Sequence, residues 1–95
     1  MKVSFNRWAE AELIAAARHL EQERRLGAEL LEEYESWETK VRQFPESCPE
    51  IAPGIRCGYL KRFKYHVTYA IRGDAIRILY VRSARQAPLR HLPRE

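Results

Sequence analysis

Six cations crowd a short stretch near the end of this sequence: Lys61, Arg62, Lys64, Arg77, Arg82 and Arg85. Cations at this density offer charge for an anion, whether a phosphodiester or an acidic protein segment. One titratable group sits among them, His66 in "KYHVTY", and a histidine exchanges a proton near neutrality. Metal-free cleavage of RNA would need more: a base for the 2′-OH, an acid for the leaving 5′-oxygen, and cations for the growing phosphate charge. No convincing acid and base pair stands out. Tyr59, Tyr65, Tyr69 and Tyr80 read as packing aromatics, His19 as a helix residue without catalytic context, and His91 as part of the tail. His66 reads more simply as a surface-strand histidine beside Val81. No Ser/His/Asp, zinc or phosphate-loop pattern is present, and no metal or cofactor is expected.

The charge is segregated along the chain. Residues 1–54 carry seven Lys/Arg against eleven Asp/Glu, whereas residues 55–95 carry ten against two, and the halves combine to the net charge of +4. The C-terminal half is therefore expected to face something anionic, or else to decorate a solvated sheet face. Ninety-five residues with 45% apolar content suit one domain, 1–95, with too little chain for a second core of its own. No apolar run approaches the ~18 residues of a membrane span. The opening "MKVSFNRWAEAEL" lacks the apolar stretch of a secretory leader. Two cysteines, Cys48 and Cys57, form neither a disulfide framework nor a metal quartet, so a reducing, cytoplasmic setting is the expectation.

Several elements would have to position these cations. "KVSFN" alternates as a short strand, and Asn6 is placed to cap a helix. That helix runs from Arg7 to about Glu23, with Trp8, Leu13, Ala16, Ala17 and Leu20 at helical spacing. After "RRLG" a second helix carries Leu30, Leu31, Tyr34, Trp37, Val41 and Phe44 on one stripe and glutamates elsewhere. So short a link predicts an antiparallel helical hairpin. Pro45 ends it, and "PESCPEIAPG" reads as a loop. Three strands are expected, 55–60, 65–72 and 75–81, the last two joined by a Gly73-Asp74 turn.

That turn sets a register: Arg72 with Ala75, Ile71 with Ile76, Tyr69 with Ile78 and Val67 with Tyr80. One face then gathers Val67, Tyr69, Ile71, Ile76, Ile78 and Tyr80, which the helices must cover. The other face gathers His66, Thr68, Ala70, Arg77, Leu79 and Val81, with only the tail left to cover it, and this open, partly basic face is where a partner or substrate is expected to dock. The expected fold is α+β: an N-terminal strand, an antiparallel helical hairpin and three antiparallel strands in one sheet with helices on one face.

Taken in order, these segments resemble the RelE/ParE superfamily of type II toxins, often labelled plasmid stabilization proteins. The resemblance is carried by "AEAELIAAARHLEQ", "RLGAELLEEYE", "VRQFPESCPEIAPGIR", "YLKRFKYHVTYAIRGDAIRILYV" and "RSARQAP". RelE-like members cut messenger RNA on the ribosome, whereas ParE-like members poison DNA gyrase by binding it, and both pair with an antitoxin. Arg85 matches the family's arginine after the last strand. His66 stands where the nucleases usually carry an arginine, and Ser83 where a histidine is common. The resemblance thus implies a ParE-like toxin, not an enzyme, that binds gyrase and a cognate antitoxin. The alternatives are a ribosome-dependent endoribonuclease using His66, Arg77 and Arg85, or an inactive antitoxin-binding member. Lys61, Arg62, Lys64, His66, Arg77, Arg82 and Arg85 are the expected antitoxin- or nucleic-acid-binding residues.

Overall fold

A computed structural model describes residues 1–86 and residue 94; His91, Pro88 and Pro93 lie outside the described residues. The elements are β1 (Lys2–Phe5), α1 (Arg7–Arg24), α2 (Gly27–Gln43), β2 (Glu50–Ala52), β3 (Ile55–Leu60), β4 (Tyr65–Arg72) and β5 (Ala75–Ser83). The five strands form one mixed sheet in the order β1-β5-β4-β3-β2. β1 runs parallel to β5, and the other neighbouring pairs are antiparallel.

Local chemistry sets the helix ends. The Ala9 amide donates to Asn6 Oδ1 at 2.7 Å, so Asn6 caps α1 as its position suggested. α1 closes on Arg25, which takes the left-handed conformation at φ 57°, while the Leu26 amide reaches back to the Leu20 carbonyl at 3.2 Å. The Gly27 amide then donates to Glu21 Oε1, tying the start of α2 to α1. A left-handed arginine is strained, so Arg25→Gly is expected to stabilise the fold by about 0.5–1 kcal/mol, read as a higher urea midpoint.

The helices cover the face expected of them. Leu13, Ala16, Leu30, Tyr34 and Val41 bury against Val67, Tyr69, Ile76 and Ile78, the last four at 0% exposure or nearly so. Burying such side chains contributes roughly 1.5–3 kcal/mol each. An aromatic row threads this core: Phe5 to Tyr34, Tyr34 to Trp37 and Trp37 to Tyr69, with ring centroids 5.5–5.7 Å apart. Burial pushes the phenols of Tyr34 and Tyr69 upward, and each donates instead, Tyr34 to Glu38 and Tyr69 to the Pro45 carbonyl.

The structure corrects four expectations. A short edge strand, β2, forms inside "PESCPEIAPG", because three residues at a sheet edge tolerate flanking prolines. Trp8, Leu31 and Phe44 stay exposed, and Ala9 fills the core place given to Trp8, since each stripe is narrower than its apolar spacing suggested. The hairpin register holds from Arg72/Ala75 to Tyr69/Ile78 and then shifts. Thr68 pairs with Tyr80 and Val67 with Val81, leaving Leu79 as the extra residue of a bulge. One extra residue reverses the alternation, so Val81 turns to the helices and Tyr80 to the outer face.

The fourth correction concerns that outer face, which is not bare. Ile55, Ala70, Leu79 and Tyr80 form a second, smaller cluster there, all at 7% exposure or less. The bulge adds the Tyr80 ring to Ala70 and Leu79, which the alternation already placed there, and Ile55 joins them from β3.

Candidate functional site

The β3–β4 turn is the foundation of a basic concavity. Its backbone closes through Lys64, whose amide donates to the Leu60 carbonyl at 2.8 Å and whose φ is 61°. From α2, the Glu33 carboxylate accepts the amides of Arg62 at 2.8 Å and Phe63 at 3.3 Å. Two amides held by one carboxylate fix the turn, and the Arg62 guanidinium lies over the Phe63 ring, 4.8 Å from its centroid. The chain leaving β5 is tied to the same turn, for the Ala84 amide donates to the Lys64 carbonyl at 2.8 Å. Ser83 then organises the exit. Its amide donates to Gln86 Oε1 at 2.8 Å, and its hydroxyl accepts the Arg85 amide at 3.2 Å.

These turns and the last turns of α1 enclose a groove of about 610 Å³. Arg62, Lys64 and Arg85 line it from the turns and Arg24 from α1, against the single carboxylate of Glu23. His19 and Tyr65 also line it. Four cations facing one acid in a concave site focus a positive field on whatever enters.

Lys64 is informative because of its backbone. Only glycine adopts a left-handed φ without steric cost, and a lysine there bears roughly 1 kcal/mol of strain. Lys64→Gly is therefore expected to raise the urea midpoint while weakening binding of an anionic partner, a dissociation that a structural role would not give.

The expected site residues divide. Arg62, Lys64 and Arg85 come together in the groove. Lys61 lies exposed in the same turn. His66 points from the other face, opposite Arg82 in the register and not beside Val81. Its Nδ1 is 3.7 Å from Cys57 Sγ, and its ring stacks at 4.9 Å from that of Tyr59. Burial pushes the Cys57 thiol up, outweighing the hydrogen bond from Thr68, the reverse of the lowering that activates a thiol. Arg77 is half-buried and donates to Ser4 Oγ at 3.1 Å and to the Phe5 carbonyl at 2.7 Å, holding β1 against β5. His66, Arg77 and Arg85 are thus not brought to one place. His66 stands at one end of β4, Arg77 faces Ala70 nearer the other, and Arg85 lines the groove on the helix side.

Sequence reasoning missed His19, Arg24 and Tyr65 as groove residues. The signal available was positional: His19 and Arg24 lie in the last turns of α1, but which strand end those turns meet is a tertiary fact. Among the described residues no cluster of three or more His, Cys, Asp or Glu could hold a metal ion, and no helix is long and apolar enough to cross a membrane.

Among solved structures, this chain is similar to one from "Chromosomal ParDE TA system from P. aeruginosa". The match has a TM-score of 0.64 at 21% identity and covers 87% of this chain and 95% of that one. The fold is ParE-like. Two helices over a five-stranded mixed sheet are the shared architecture. No family model and no curated protein matches the sequence. On this ParE-like frame the groove sits where the β3–β4 turn, the exit from β5 and the last turns of α1 converge.

Proposed function

We propose that this chain is the toxin of a type II toxin–antitoxin system. It is ParE-like, inhibits DNA gyrase by binding it, and is neutralised by a cognate antitoxin. The observation that supports this reading is a ParE-like fold in which Arg24, Arg62, Lys64 and Arg85 line one groove. A binding toxin needs a positioned surface and no titrating pair. An acidic, amphipathic antitoxin segment complements the groove in charge, which speeds encounter and sets register. Inducing the chain in bacteria is expected to arrest growth with DNA-damage signalling and relaxed plasmids. Arrest with intact supercoiling and messenger RNA cut at fixed codon positions would overturn the gyrase reading.

One observation favours a second reading, a ribosome-dependent endoribonuclease. The groove places His19 and Tyr65, both able to move a proton, beside four cations. His19→Gln tells the two apart. Toxicity persists in that variant if the chain acts by protein binding, and is lost if His19 is an acid or base of RNA cleavage.

A further inference from the structure

β1 pairs with β5 only as far as Ile78, so among the described residues no strand pairs with the outer edge of β5 beyond it. Side chains complete that edge. Asn6 Nδ2 donates to the Leu79 carbonyl at 3.2 Å, and the Val81 amide donates to Glu12 Oε1 at 2.9 Å. Arg94 enters the same place. Its Nη2 donates to Glu12 Oε1 at 2.7 Å and to the Leu79 carbonyl at 2.8 Å, and its own carbonyl accepts from Asn6 Nδ2. The guanidinium lies 3.9 Å from the Tyr80 ring centroid and 5.6 Å from that of Trp8.

We propose that Glu12, Tyr80, Trp8 and the Leu79 carbonyl form an arginine-recognition socket, occupied in the free chain by Arg94 and open to the arginine of another chain when Arg94 leaves. The socket supplies a carboxylate for charge, a carbonyl for a second N–H, and an aromatic face for the flat group. A guanidinium satisfies all three at once: its Nη2 alone donates to both acceptors while the flat group lies against the Tyr80 ring. A lysine ammonium could reach both acceptors from its one nitrogen, but it is compact, strongly hydrated and has no flat face to lay on the Tyr80 ring. The bulge at Leu79 makes the socket, since without it Tyr80 would face the helices. Trp8 has its exposure explained by the same site: its ring forms one wall, and Arg7 stacks on it at 4.6 Å. The site is separate from the basic groove and opposite to it in preference, taking a cation.

The test uses the full chain carrying Arg94→Ala, titrated with Nα-acetyl-arginine methylamide and followed by the Trp8 indole N–H resonance. Saturable binding is expected, at least about tenfold tighter than to the wild type, whose socket is filled, and about tenfold tighter than the lysine analogue. Adding Tyr80→Leu to that variant abolishes it. Equal affinity for wild type and variant, or for arginine and lysine, overturns the proposal. A readout on the wild-type chain keeps the test sound should the variant unfold. The Arg94 Nε–H resonance is expected to carry an upfield ring-current shift that Glu12→Gln removes, the glutamine still accepting the Val81 amide. An Arg94 resonance at the free-arginine position in the wild type contradicts the socket.

Discussion

Gly58→Ala is expected to cost about 3 kcal/mol of folding stability, the upper part of the range for overpacking a dense core. Gly58 lies on the helix-covered face of β3, opposite Val67, and the Trp37 indole rests directly on it. An added Cβ would stand 2.3 Å from Trp37 Nε1 and 2.7 Å from two ring carbons, well inside contact distance. The ring has little room to yield, since Tyr34 and Tyr69 pack on it from either side. Urea unfolding measures the loss. Shrinking the ring in a Gly58→Ala, Trp37→Leu double variant should recover part of it, because neighbouring changes that share one space are not additive. A fully additive double variant would mean that the clash is relieved elsewhere.

Reversing two groove charges, Arg62→Glu with Arg85→Glu, carries the largest functional effect. Four cations and one acid become two cations and three acids, so the sign of the groove inverts. An acidic partner then meets like charge, which costs several kcal/mol, and affinity should fall by about 100-fold or more at low salt. The gap should narrow as salt screens the groove. Stability should change little. The turn is held by backbone amides on Glu33 and by the Ala84–Lys64 bond, not by either reversed side chain. Calorimetric titration of an acidic antitoxin segment, with unfolding curves beside it, separates lost binding from lost fold. Undiminished binding would place the interface elsewhere.

Much of the architecture was legible because local rules and burial agree. Asn6 caps, Gly73 turns, and Val67, Tyr69, Ile76 and Ile78 alternate into a wholly buried face. What escaped depended on one residue or on distant neighbours. The bulge at Leu79 adds a single residue that no periodicity announces, yet it exchanges the faces of Tyr80 and Val81. β2 hides among prolines because edge pairing asks so little of its sequence. The groove was half legible. Arg62, Lys64 and Arg85 could be named from charge, whereas His19 and Arg24 join them only through the docking of α1 on the sheet. Arg77, named for its charge, is tied to Ser4 and the Phe5 carbonyl beside an edge strand, a contact that only the pairing of β1 with β5 brings about.

The most direct measurement is a supercoiling assay with purified DNA gyrase and relaxed plasmid, adding the purified chain in increasing amounts. Dose-dependent loss of supercoiling is predicted, relieved by a cognate antitoxin and absent with the Arg62→Glu, Arg85→Glu variant. Full gyrase activity at saturating chain would contradict a gyrase-binding toxin.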